Sequence, residues 1–101
     1  MTLQDSETTN QQQFMVRDNV PAGRYELLDL SDPEAPLRSY ANYVLQGDAV
    51  VVSHVETLLP YRGNGFADEL MAGIVDDLRV GERTIVALCS FAAEYLRSRS
   101  T

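Results

Sequence analysis

The chain has no lysine, a single cysteine, a single histidine and no long apolar run. Each shortage removes a class of function. Without lysine, the Gly-Lys-Ser/Thr core of a phosphate-binding P-loop cannot be written. The eight basic residues are all arginines, scattered at Arg17, Arg24, Arg38, Arg62, Arg79, Arg83, Arg97 and Arg99, and the fifteen acidic residues bring the net charge to −7. General nucleic-acid binders cluster positive charge, so no nucleic-acid partner is expected. An acidic surface does tolerate a cationic acceptor such as an amine. Cys89 cannot make an internal disulfide, and the N-terminus lacks a basic patch followed by an apolar stretch, so a cytoplasmic protein is expected. No segment approaches the roughly 20 apolar residues that span a bilayer, and no membrane partner is expected. His54 with one neighbouring glutamate is too small a set for a metal site, and none is expected.

What is present fits one small globular domain. The 101 residues, 45% of them apolar, suffice for a single core without metal or disulfide staples. Residues 1–12 are polar and lack apolar groups to bury, so they read as a disordered N-terminal tail, with the domain running over 13–101. Phe14-Met15-Val16 begins a short strand, and 18–23 carries turn chemistry. The segment 24–30 reads as a half-buried strand, with Tyr25 and Leu27 on one face and Arg24 and Glu26 on the other. In 37–45, Leu37, Ser39, Ala41, Tyr43 and Leu45 share a face. Gln46-Gly47-Asp48 is a hairpin turn, and the valine-rich 49–56 is the next strand. The three strands between 24 and 56 form an antiparallel meander.

The period then changes. Phe66, Leu70, Ile74 and Leu78 recur every four residues, widened by Ala67, Met71 and Val75, which predicts an amphipathic helix packed on the sheet. Gly81 stands at its expected C-cap. Thr84-Ile85-Val86-Ala87-Leu88 is a continuous apolar run, which suits a parallel strand buried on both faces. Ser90 is the expected N-cap of a last helix reaching about Arg97.

Between strand and helix lies Arg62-Gly63-Asn64-Gly65-Phe66-Ala67. Two glycines permit a sharp bend, the first amides of the helix have no internal partners, and the helix dipole and Arg62 add positive charge. This suits a diphosphate, although the same stretch also serves a plain helix start. A dinucleotide fingerprint fails, for want of a third glycine and of an acid closing the next strand. His54 and Glu56 share one strand face, where they can take a proton or form a structural hydrogen bond. Cys89, at the carboxyl end of a strand, is either a nucleophile or pocket-lining group, or a buried inert thiol. Tyr95 reads as a rim aromatic or as a group turned toward the site.

Arg62, Gly65 and Ala67 fit (Gln/Arg)-x-x-Gly-x-(Gly/Ala), and the stretch resembles the acetyl-CoA loop of the GNAT acyltransferase superfamily. The likeness extends to His54-Val55-Glu56 ahead of the loop and to Leu88-Cys89-Ser90-Phe91-Ala92-Ala93-Glu94-Tyr95 after it. That order of motifs is similar to the short single-domain, YjdJ-type members, and it covers about residues 14–97. Ser90 stands where that subgroup often has proline, and its His-Pro-containing tail is replaced by Arg97-Ser98-Arg99-Ser100-Thr101. The resemblance implies an α/β fold, a minimal GNAT core with a mixed sheet of about five strands and two helices. It implies an N-acetyltransferase, with acetyl-CoA as cofactor and a primary amine as acceptor, acting by direct attack in a ternary complex. By the same resemblance, Gly63, Asn64, Gly65, Phe66 and Ala67 with Arg62 hold the diphosphate. The backbone of Thr57, Leu58 and Leu59 holds the pantetheine and, near Leu58, polarises the acetyl carbonyl. Glu56 or His54 acts as base through water, and Cys89 or Tyr95 serves the thiol end. A monomer or weak homodimer is expected. The alternative is a CoA-binding or interaction module without catalysis on the same scaffold.

Overall fold

The computed structural model describes residues 13–99, so the tail expected over 1–12 lies outside the described residues. Five strands form one sheet in sequential order: β1 (Phe14–Asn19), β2 (Arg24–Asp29), β3 (Leu37–Gln46), β4 (Ala49–Thr57) and β5 (Thr84–Ala87). Strands β1 to β4 are an antiparallel meander, and β5 runs parallel to β4. The crossover between β4 and β5 contains helix α1 (Phe66–Val80), and α2 (Ser90–Arg99) follows β5. This is the mixed sheet with two helices that the residue pattern predicts.

The core lies on one face of the sheet. Leu70, Met71, Ile74 and Leu78 of α1 and Ala92 of α2 join one buried cluster with Tyr25, Leu27, Ala41, Val50 and Val52. Both helices therefore cover the same side. Side chains alternate along a strand, so Glu26, Tyr40 and Asn42 point to the opposite face, which is helix-free among the described residues. Tyr25 donates from its hydroxyl to Asp77 Oδ2 at 2.6 Å and so ties β2 to α1. Burial and that hydrogen bond hold its phenol far above the usual range. At Gly73, an added Cβ would lie 2.3 Å from Val16 Cγ2, so the crossing of α1 over β1 requires glycine.

Three local expectations are corrected, and the C-cap at Gly81 holds. Strand β2 is buried on both faces, because Arg17, Arg24 and Asn19 all fold onto the Glu26 carboxylate. Strand β5 is the sheet edge. Ile85 and Ala87 face the core, while Val86 remains 43% exposed, so this run is not buried on both sides. Gly81 is the C-cap of α1, as expected, at a φ of −83°, and the left-handed residue after it is Glu82 at φ 56°. Arg83 N–H bonds to Leu78 C=O at 2.8 Å and Glu82 N–H to Arg79 C=O at 3.1 Å, a Schellman pair built around Glu82. Finally, α2 starts at Ser90 itself. Its cap is Cys89, whose Sγ accepts from Ala92 N–H at 3.4 Å and whose C=O accepts from Ala93 N–H at 3.0 Å.

Candidate functional site

The site begins where two parallel strands part. Pairing of β4 with β5 runs from Ala49/Thr84 to Val52/Ala87 and ends with Leu88 N–H on Val52 C=O at 2.8 Å. Beyond that point β4 continues to Thr57, still paired with β3 only. A register shift opposite Asn42 and Tyr43 leaves Ser53 as the extra residue of a bulge in β4. This bulge sets which backbone groups face the gap. Leu58 N–H donates to Arg38 C=O at 3.0 Å, and Glu56 C=O accepts from Ser39 Oγ at 2.7 Å, so the groups of 54, 56 and 58 point toward β3. By alternation, those of Val55 and Thr57 face the gap. The amide of Leu58, expected to polarise a carbonyl there, is committed to Arg38. The bulge sits at Ser53, four residues before β4 ends at Thr57, and Leu59–Tyr61 then forms a 3-10 turn.

The glycine bend follows that turn. Gly63 has a φ of 84° and Gly65, the N-cap of α1, a φ of 78°. A Cβ at either position would meet nothing within 4 Å, so these glycines are required by backbone conformation and leave open space before the bend. The first helical hydrogen bond runs from Glu69 N–H to Gly65 C=O at 3.1 Å, which places the amides of Gly63 to Asp68 ahead of the helical ladder. Asn64 Nδ2 donates to Tyr61 C=O at 3.0 Å and holds the bend closed on itself. The Arg38 guanidinium lies 3.9 Å from the Tyr61 ring centroid, Tyr61 meets Phe66 at 6.4 Å, and Phe66 meets Phe14 at 5.2 Å. That column fixes the bend to the sheet. Asp68 and Glu69 in the first turn oppose the positive end of the helix.

Three side chains beside the gap form a chain of bonds. His54 Nε2 lies 2.9 Å from Glu56 Oε1, and Arg62 Nη2 donates to Glu56 Oε2 at 2.7 Å. Arg62 Nε donates to Thr57 C=O at 3.1 Å. The hydrogen bond from His54, then that from Arg62, hold the Glu56 carboxyl below its ordinary range. His54 and Glu56 stand opposite Asn42 and Tyr40, on the helix-free face.

Two adjoining compartments of about 190 and 220 Å³ make the cleft, and both are lined by Thr57, Arg62, Ala67 and Phe91. Gly63 and Gly65 border one, Val55 and Glu56 the other. The structure thus brings Glu56, Thr57, Arg62 and the bend together, with His54 against Glu56. Cys89 lines neither compartment; it caps α2 and packs against the core. Tyr95 lines neither compartment; it borders a third cavity of about 390 Å³ with Phe14, Asn64 and Arg99, which meets the smaller compartment at Gly65, Phe66 and Asp68, and Arg99 stacks on its ring at 4.4 Å. Sequence reasoning missed Val55 and Phe91 as cleft residues. Phe91 could have been found as the aromatic in the first turn of the last helix, next to the carboxyl end of a parallel strand. Val55 could not, because its orientation depends on the bulge.

A mixed sheet whose parallel strands part ahead of a glycine bend at a helix start is the architecture of the GNAT acyltransferases. The family model of the GCN5-related N-acetyl-transferases matches residues 24–101, and the chain belongs to that family. β1 precedes the matched segment. The fold is similar to that of a GCN5-like candidate N-acetyltransferase from Staphylococcus aureus, solved in solution, with 19% identity and a TM-score of 0.56 over 85% of this chain and 80% of that one. No curated protein matches the chain.

Proposed function

We propose that this chain, of the short single-domain YjdJ type, transfers the acetyl group of acetyl-CoA to a primary amine by direct attack in a ternary complex. One observation carries the reading: the β4–β5 gap ends at a bend whose amides are ahead of the helical ladder and whose glycines leave open space. Peptide N–H groups at a helix start suit a diphosphate, and an extended arm suits a free strand edge. Gly63, Asn64, Gly65, Phe66 and Ala67 would hold the diphosphate through their amides. The gap-facing backbone of Val55 and Thr57 would receive the pantetheine and polarise the thioester carbonyl, in place of Leu58. Acetyl-CoA supplies an activated acyl carbon; the chain supplies orientation and a proton acceptor in the His54–Glu56 pair.

Cys89 and Tyr95 stand apart from that pair. Their separation favours, as a second reading, a CoA-binding module without turnover. Titration with acetyl-CoA should raise the melting temperature under either reading, since ligand binds the native state. Incubation with acetyl-CoA and a panel of amines and peptides, read by mass spectrometry, separates them. Acetylated product is expected; affinity without product would establish the module instead.

A further inference from the structure

The bonds at His54, Glu56 and Arg62 assign different tasks to residues that sequence alone leaves interchangeable. A carboxylate only accepts hydrogen bonds. Each Glu56 oxygen accepts one such bond, Oε1 from His54 Nε2 at 2.9 Å and Oε2 from Arg62 Nη2 at 2.7 Å. A contact between Nε2 and a carboxylate requires the proton on Nε2, which leaves the lone pair of neutral His54 on Nδ1. Arg62 belongs at once to this pair and to the bend, since its Nε is anchored on Thr57 C=O and it lines both compartments of the cleft.

We propose that His54 Nδ1 is the base of this site, that Glu56 and Arg62 are positioning residues, and that CoA bound at the bend acts on His54 through Arg62. This rests on the cofactor reading above. A diphosphate at the bend draws on the guanidinium charge that otherwise neutralises Glu56. The carboxylate then turns its full charge toward His54 and strengthens the Nε2–H hydrogen bond. The base is thereby improved only when the acyl donor is in place.

The proton balance is simple. His54 stands against Glu56 and lines neither compartment of the cleft, so the acceptor ammonium gives one proton to Nδ1 through water. The resulting amine attacks the thioester carbon to form the C–N bond. The C–S bond breaks, and the departing thiolate gains the second proton lost from nitrogen, leaving amide, free CoA and a protonated imidazole that returns its proton to water.

The surroundings of His54 leave Glu56 as its main partner. On β3 the Tyr40 ring stands 6.4 Å away, centroid to centroid, and Asn42 is the cross-strand neighbour. On β2, Arg24 lies over Tyr40 and is paired with Glu26, which also takes Arg17 of β1. Strand β5 has no titratable residue, and both helices lie on the other face.

Because the chain has one histidine, its imidazole nitrogens can be read without assignment ambiguity in ¹⁵N-labelled, untagged protein. Long-range ¹H–¹⁵N spectra at neutral to mildly alkaline pH should show a protonated Nε2 and an unprotonated Nδ1. In E56Q, whose amide can donate or accept, both tautomers should appear. Saturating CoA should move the Nε2–H signal downfield in the wild type and leave it unmoved in R62Q. A protonated Nδ1 in the wild type overturns the base assignment. Shifted bend amides with an unmoved imidazole overturn the coupling. If neither the bend amides nor the melting temperature respond to CoA, the cofactor reading and the coupling fall together, while the tautomer still decides the role of His54.

Discussion

The two strand-to-helix junctions, β4 to α1 and β5 to α2, lie at the carboxyl ends of neighbouring parallel strands, yet they begin their helices in opposite ways. The first takes the eight residues from 58 to 65 and places two left-handed glycines before the helix. Its leading amides precede the helical ladder. The second takes only Leu88 and Cys89, and the Cys89 sulfur and carbonyl already accept from Ala92 and Ala93. One junction is open to an anion and the other is capped from within. In an α/β sheet, ligands gather at such carboxyl ends, but only the junction that leaves its amides uncommitted can take one.

The strongest way to break this contrast is at Gly65. Valine at a φ of 78° is both strained and bulky. G65V should weaken acetyl-CoA binding by on the order of a hundredfold, equivalent to about 2.7 kcal/mol, by calorimetry. It should also lower stability, so G65A is the gentler control, with a conformational penalty of roughly 1–2 kcal/mol. Affinity retained in both variants would leave the open junction without a role.

Acid should separate the junctions next. The first is fastened by Glu56 on Arg62 and by Asp29 on Arg38, whose guanidinium stacks on Tyr61. Glu56 is held below the ordinary carboxylate range by His54 and Arg62, and Asp29 by the Ser31 hydroxyl and then by Arg38, against burial. A depressed carboxyl contributes stability that is complete above its unfolded value, about 4, and is lost as pH falls through the lower folded value. Below about pH 4, amide exchange at 59–66 should therefore rise before exchange at 90–93 does. Simultaneous loss would contradict the contrast.

Cys89 sharpens it from the other side. Removing the cap in C89A should destabilise the chain by about 1 kcal/mol in urea unfolding, with CoA affinity unchanged. Serine at the same position should restore most of the loss. A C89A protein of full stability but lost turnover would instead make the thiol a reacting group. The smallest effect is electrostatic: D68N removes an anion from the cleft, and should tighten CoA binding by about threefold at low salt, fading as salt is added.

Much of this molecule is legible in its residue pattern. The four-residue recurrence of Phe66, Leu70, Ile74 and Leu78 marks α1, the alternation around Ala41 marks β3, and the glycines at 63 and 65 mark the bend. These signals are local, and local periodicity survives folding. What escapes the sequence is non-local. Glu26 looks like a solvent-facing charge until Arg17 and Arg24 close over it. Thr84 to Ala87 look fully buried until the sheet order places them at an edge. Glu82 takes the left-handed position beside Gly81, because the Schellman pairing to Leu78 and Arg79 places the turn one residue later. The bulge at Ser53 has no sequence mark, and it decides that Val55 and Thr57, rather than Leu58, offer their backbone to the cleft. The pairing of His54, Glu56 and Arg62 is half visible: two residues apart on a strand is readable, but the return of Arg62 onto Glu56 depends on the 3-10 turn between them.

The most direct test is to follow backbone amide signals of ¹⁵N-labelled protein while acetyl-CoA is added. The account predicts the largest shifts at 63–67, with Val55 and Thr57 next and the 90–93 amides little changed. Shifts concentrated at 90–93, or none at 63–67 under saturating ligand, would contradict it.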